Sequence, residues 1–369
     1  MTERERVLSI LQRKQPDQLP WCADLAYWTY GLEVDETYPE EYRNTWYDNG
    51  LQKLHRDLGI GFYLQGFEPF TGTRTGFEET TEQNGNRMVQ RIHCPSGGEL
   101  TQISEFSRKS YSWGVTKHMV ETAEDLKLYC DMLENTVYTP NYEYAEKRYE
   151  TIGDNGVVLC YTPKSPLMNL IALASGVENF TFMLMDEEET VLDCLKRMEA
   201  KFDEACELTV NSPAECIMIP ENITSECVKP FYELMEGYHK KWTDRIRAAG
   251  KYSFVHQDGT VRGLIGELSK RSGFDVIEAV TPKPVGDVTI EEARELVLPE
   301  TIIWGGMPGG LFREDSFSDA DFDAHLMHCI EVMTKSPNYV LGVADQVVPG
   351  STVRRLRRVR ELVDQYGKY

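Results

Sequence analysis

Tyr252-Ser253-Phe254-Val255-His256-Gln257-Asp258-Gly259 is a β-rich run that stops at a polar corner, and Gly273-Phe274-Asp275-Val276-Ile277-Glu278 repeats the pattern one helical stripe later. Working outward, the same alternation holds from about residue 156, with further β-rich runs at Val157–Tyr161, Cys216–Ile219, Ile302–Trp304 and Tyr339–Val343. Helical stripes separate them: Leu195, Met198, Phe202 and Ala205 in one, a segment from Pro230 to Gly250 in another, and a third opened by the capping box Thr289-Ile290-Glu291-Glu292. Two earlier runs, Leu19–Asp24 and Ile60–Leu64, bring the strands to eight. Strands alternating with helices pair in parallel, and eight of them close a barrel. A doubly wound open sheet competes, but no Gly-x-Gly-x-x-Gly follows a strand. The expected fold is an α/β TIM (β/α)8 barrel with an N-terminal helical and β-hairpin extension.

The extension lies within residues 1–150 of a single domain spanning 1–369. Thr2-Glu3-Arg4-Glu5 is a capping box before Val7, Ile10 and Leu11, so a first helix is expected to run to about Lys14. Tyr27, Trp28, Tyr30, Tyr38, Tyr42, Trp46 and Tyr47 crowd the next segment. From about 74 to 106, Thr and Glu alternate with apolar residues around turns at Asn84-Gly85 and Ser96-Gly97-Gly98, which reads as an antiparallel insertion. Thr122-Ala123-Glu124-Asp125 opens a further helix.

Of 369 residues, 39 are Lys or Arg and 60 are acidic, a net charge of −21 that repels phosphate backbones and argues against nucleic acid as a partner. Nine cysteines, none in a Cys-x-x-Cys pair, fit reduced thiols better than a disulfide framework. No apolar run reaches the length of a bilayer span, and Met1–Arg6 does not resemble a signal peptide. A cytoplasmic location is expected.

In a barrel of this kind chemistry sits where strands end. The runs here end in Glu221 and Asn222, in His256 and Asp258, in Glu278 and in Asp345, while Glu236 lies further along the helix after Glu221. One acid at a strand end commonly just caps a helix. Several converging near an imidazole repel one another unless a cation or protons neutralise them. Zinc held by His and carboxylates is one solution. Protonated acids in general acid catalysis are the other. The Gly305-Gly306-Met307-Pro308-Gly309-Gly310 stretch reads as a flexible loop permitting close approach. Arg354, Arg355, Arg357, Arg358 and Arg360 interleave with Leu356, Val359 and Val363 as the solvated face of a terminal helix.

The stretch from Arg4-Glu5-Arg6-Val7-Leu8 to Pro16-Asp17-Gln18-Leu19-Pro20 resembles the opening of the uroporphyrinogen decarboxylase superfamily. So do His256-Gln257-Asp258-Gly259, Gly273–Glu278 and Trp304-Gly305-Gly306. The resemblance implies a distorted TIM barrel, in a superfamily that holds both decarboxylases and corrinoid-dependent methyltransferases. The decarboxylases carry an early arginine-rich segment for substrate carboxylates, whereas Trp21–Trp28 here is acidic and aromatic. Thiol-alkylating members use His-x-Cys with a second late Cys, but Asp258 and Asp345 stand near those positions. Oxygen ligands leave zinc a harder Lewis acid, suited to an ether oxygen or a phenolate. The resemblance therefore points to the methyltransferase I components of anaerobic O-demethylases, some of which bind zinc through a Glu, Glu, His series, matched in order here by Glu221, Glu236 and His256, with Glu278 or Asp258 as alternatives to Glu236. It implies a methoxylated aromatic substrate; Trp21, Tyr27 and Trp28 are candidates for an aromatic pocket and Asn222 for orienting that substrate, with His256, Asp258 and Glu278 expected at the reacting centre. The chain has no Asp-x-His-x-x-Gly signature, so the corrinoid (cobalamin) is expected on a partner corrinoid protein. Two alternatives stay open: a metal-free decarboxylase using Asp258 and Glu278 as acid and base, and a non-enzymatic protein that captures an aromatic ligand at the barrel mouth.

Overall fold

Seven short runs of the chain pair side by side in parallel: β1 (Trp21–Cys22), β2 (Leu159–Tyr161), β3 (Cys216–Ile223), β4 (Tyr252–Gln257), β5 (Val276–Val280), β6 (Ile302–Pro308) and β7 (Tyr339–Ala344). In this computed structural model, which describes residues 1–43, 49–63 and 66–369, their order is β1-β7-β6-β5-β4-β3-β2. From β2 to β7 strands consecutive in the chain are neighbours in space, as strand–helix–strand connections favour. The sheet curls until β1 and β2 reach one common segment: Gly61 bridges Cys22 and Phe62 bridges Gly156, both in parallel. The Gly61 amide donates to Trp21 O at 2.8 Å, and the Val157 amide donates to Phe62 O at 3.1 Å. That segment fills the eighth position, and the ring is a TIM-like α/β barrel. Leu64, the last residue of the expected second run, lies outside the described residues, as do Trp46 and Tyr47.

Every second strand residue faces the interior. Cys22, Leu159, Met218, Phe254, Val276, Ile302, Trp304 and Val340 form one buried cluster, joined by Val7, Ile10 and Leu11 of α1 (Glu3–Leu11). The capping box of Thr2 and Glu5 starts α1 as expected. It stops at Leu11, short of Lys14, because the chain turns at Arg13 with a φ of 60°. All nine cysteines are free thiols, and among the described residues no helix is long and apolar enough to cross a membrane.

Gly305 and Gly306 are not in a loop: they lie inside β6. The close approach they permit is internal. A Cβ at Gly305, whose φ is +149°, would sit 2.5 Å from Val280 O of β5. Nor is the last helix, α2 (Val353–Tyr366), basic on its solvated side alone: Arg355 is buried and donates to Leu311 O at 2.5 Å and Phe317 O at 2.6 Å.

The chain forms two compact units, of which the barrel is one: residues 1–69, 142–161 and 212–369. The other, residues 70–141 and 162–211, holds a four-stranded antiparallel sheet of Glu78–Asn84, Arg87–His93, Glu99–Ser107 and Ser112–Lys117. Gly85, Gly97 and Gly98 take positive φ at the expected turns, and the fourth strand carries the insertion past residue 106 to Lys117. Its longer helices are Ala123–Glu134, with the expected box at Thr122, Gly176–Asp186, and Glu188–Asn211, which buries Leu195, Met198, Phe202 and Ala205.

Gly305→Ala is expected to lower the unfolding free energy by about 3 kcal/mol, through strain at a positive φ and the clash with Val280. Gly237→Ala, in the helix Glu233–Ala248 with open space around its Cβ position, is expected to raise it by about 1 kcal/mol. Urea denaturation of both variants measures the contrast.

Candidate metal centre

Phe254 belongs to the core, so His256, two residues on, faces the same interior at the C-terminal end of β4. On β5 Glu278 stands directly opposite: His256 and Glu278 are register partners across the parallel pair. Glu278 is fully buried and accepts two hydrogen bonds, one from His256 Nδ1 at 2.6 Å and one from Tyr63 OH at 2.7 Å. Both carboxylate oxygens are thereby occupied. With Nδ1 bound to Glu278, the imidazole turns Nε2 toward Asp345, whose Oδ1 is 3.3 Å away. Asp345 directly follows β7, and Asp258 follows β4, its amide donating to Ile223 O at 2.9 Å. His256, Asp258 and Asp345 each offer a ligand atom, and these three atoms lie within 4.8 Å of one another.

The backbone around Glu278 is shaped for this. β5 carries one extra residue against β6 between Ile277 and Val280, a bulge in which Ala279 has a φ of 62°. Bulges re-aim side chains, and a non-glycine residue at positive φ persists only where its surroundings impose it. The seat for that bulge is Gly305, where no side chain fits against Val280.

Charge at the mouth is one-sided. Burial works against a charged His256, but the charge of Glu278 and its hydrogen bond, with Asp345 and Asp258, push the imidazole up to about 9. Asp345 is pushed up to about 7, first by burial and then by Glu278, Asp258 and Asp24, with His256 opposing. Burial and Glu278 together raise the Tyr63 phenol well above its ordinary range. Three acids crowding one imidazole want either protons or a cation. One imidazole nitrogen and two carboxylates, with the other ring nitrogen fixed by a third carboxylate, is a donor set that suits zinc.

The expected residues divide. His256, Asp258 and Asp345 come together, with Glu278 behind the imidazole. Glu221 does not join them: β3 carries extra residues against β4 between Ile219 and Ile223, Asn222 has a φ of 56°, and Glu221 is buried against His239, with 2.6 Å between Oε1 and Nε2. Glu236 lies on the helix Glu233–Ala248 and accepts from Arg271 Nε at 2.9 Å. Trp21 stacks on Phe312, ring centroids 6.3 Å apart, on the strand face opposite to Cys22 and the core. On the helix Ala26–Val34, Trp28 donates from Nε1 to Ser351 O at 3.1 Å and Tyr27 is half-buried, while Asn222 is exposed. Sequence reading missed Tyr63 and Asp24. Both sit where expected strands end, so the rule that found His256 and Glu278 reaches them too. Asp24 is buried, accepting from the Ala26 amide at 2.8 Å and from Gln346 Nε2 at 2.5 Å.

The sequence signature of the uroporphyrinogen decarboxylase family (URO-D) matches residues 116–366. A methyltransferase from Methanosarcina mazei has a similar fold, with a TM-score of 0.60 at 13% identity over 99% of each chain. A GH18 chitinase from Pseudoalteromonas aurantia is more distant, with a TM-score of 0.34 and 9% identity over 62% of this chain and 87% of its own. Among curated proteins, none matches in sequence.

Asp345 carries a pH signature. Its folded value, about 7, lies above the ordinary 3.8, so the stability linked to its proton is fully present below about pH 4 and is lost as pH rises through 7. Asp345→Asn cannot ionise. In thermal melts its midpoint is expected to exceed the parent's at pH 8 by about 2–4 °C and to match it at pH 4, the gain being modest because part of the side chain stays in solvent.

Proposed function

Since the chain belongs to the uroporphyrinogen decarboxylase family, we propose that its barrel mouth is a zinc-dependent methyl-transfer site, moving the methyl group of a methoxylated aromatic to the corrinoid of a separate corrinoid protein. The observation that carries this reading is the convergence of His256, Asp258 and Asp345 on one point, with Glu278 fixing the imidazole from behind. The methyltransferase from Methanosarcina mazei, similar over nearly the whole chain, supports the reaction class. The acidic mouth supports it too: Asp24, Asp258, Glu278 and Asp345 would repel a substrate rich in carboxylates, as a porphyrinogen is.

Zinc bound by these three residues supplies Lewis acidity to the ether oxygen, which a phenolate leaving group needs at neutral pH. The chain's own residues prepare for it. Glu278 accepts a hydrogen bond from Nδ1 and keeps Nε2 directed at the two aspartates. Tyr63 occupies the other oxygen of Glu278, so that carboxylate orients the imidazole and stays out of the ligand set. Asp258 and Asp345 offer two negative charges, which a divalent cation neutralises.

One observation favours a second reading. Asp345 is a carboxylic acid poised near neutral pH, which suits a general acid in a metal-free decarboxylase of the same family. Metal content separates the two. Anaerobically purified protein is expected to hold about one zinc per chain by mass spectrometry. His256→Ala is expected to lose the zinc, and with it methoxyarene-dependent methylation of a Co(I) corrinoid, while keeping its circular dichroism. Metal-free protein that releases carbon dioxide from a small carboxylic acid with no corrinoid present supports the decarboxylase instead.

Zinc must displace the Nε2 proton of an imidazole raised to about 9, so apparent affinity is expected to rise by about tenfold per pH unit between pH 7 and 9. A competing chelator across that range measures the slope, and a flat profile removes His256 from the ligand set.

A further inference from the structure

β1 and β7 share only two paired positions, Trp21 with Leu341 and Cys22 with Gly342. Past Gly342, the chain that carries Asp345 is tied to the β1 side by Asp24. The Val347 amide donates to Asp24 O at 3.0 Å, and Gln346 Nε2 donates to Asp24 Oδ2 at 2.5 Å, one bond from each of the two residues after Asp345. Asp24 is itself held, its Oδ1 accepting from the Ala26 amide at 2.8 Å, and it is only 2% exposed. From the β6 side Gly309 presses on the same segment: a Cβ there would sit 2.2 Å from Gln346 O. Gln346 is thus gripped through its side chain by Asp24 and bounded at its carbonyl by Gly309.

We propose that Asp24 is a positioning residue of the mouth, setting where Asp345 stands opposite His256 by holding Gln346 and Val347 across the β1–β7 seam. The inference rests on the metal reading above and adds a residue that touches neither the metal nor the substrate. A buried carboxylate that accepts two hydrogen bonds at defined oxygens fixes its donors in direction as well as distance. Asp24 could also act only by adding negative charge to the mouth. The two roles separate at Asp24→Asn, whose Oδ1 still accepts from Ala26 and whose amide can donate to Gln346 Oε1 once that side chain rotates, while the charge is gone.

The test uses the full-length chain and zinc chloride with a competing chelator, beside cobalt(II) absorption as a readout of the ligand set. Asp24→Ala and Gln346→Ala are each expected to weaken zinc binding by about 10–100-fold and to move the cobalt spectrum toward that of Asp345→Ala. The double variant is expected to lose no more than the worse single, because both act through one contact. Asp24→Asn is expected to keep the parent spectrum and affinity within a few-fold. Losses that add in the double variant, unchanged binding in Asp24→Ala, or an Asp24→Asn as weak as Asp24→Ala would each overturn the positioning role and leave the metal site standing. A parent chain that binds neither zinc nor cobalt disposes of the metal reading and of this inference with it.

Discussion

Glu278 is fully buried, and its two oxygens accept from His256 and from Tyr63. A buried carboxylate is tolerable only when paired and hydrogen-bonded, and here both conditions are met by residues from two other strand positions of the barrel. The rest of the mouth follows from that. With Nδ1 committed to Glu278, only Nε2 is left to face Asp258 and Asp345, so one carboxylate decides which side of the imidazole does chemistry. Glu278 owes its place to the β5 bulge, with Ala279 at positive φ, and the bulge owes its room to the missing side chain of Gly305. A backbone glycine on one strand thus governs the direction of an imidazole two strands away.

The same arrangement leaves the mouth electrostatically unfinished. The imidazole is held protonated toward pH 9 and Asp345 keeps a proton toward pH 7, so the cluster at neutral pH borrows protons to offset its own repulsion. A divalent cation does that more completely, because it neutralises both aspartates at once and takes Nε2 as a neutral donor. Burying and half-burying so many acids beside one imidazole costs stability. Their convergence is the physical reason for reading the mouth as a reaction site.

Much of this was legible in the amino-acid order. The eight β-rich runs fall on the eight positions of the barrel, because parallel strands buried on both faces leave uninterrupted apolar stretches. Strand ends then named His256, Asp258, Glu278 and Asp345. What misled was local geometry that strand periodicity cannot carry. The irregular end of β3, with Asn222 at positive φ, directs Glu221 to His239 on the covering helix. Glu236 sits on that same helix, where Arg271 holds it. Trp21 lies away from the core for a simpler reason: it is one residue from Cys22, which faces the core, so alternation sends the indole to the opposite face, against Phe312. Gly305 looked like a loop because nothing in a single chain reveals which neighbouring strand must come close.

The most direct test of the central claim is anomalous diffraction at the zinc edge from crystals grown with zinc. One peak is expected at the barrel mouth, about 2.0–2.2 Å from His256 Nε2 and from carboxylate oxygens of Asp258 and Asp345, with Glu278 still on Nδ1. A peak between Glu221 and His239, or a mouth that stays empty while zinc binds elsewhere, would contradict it.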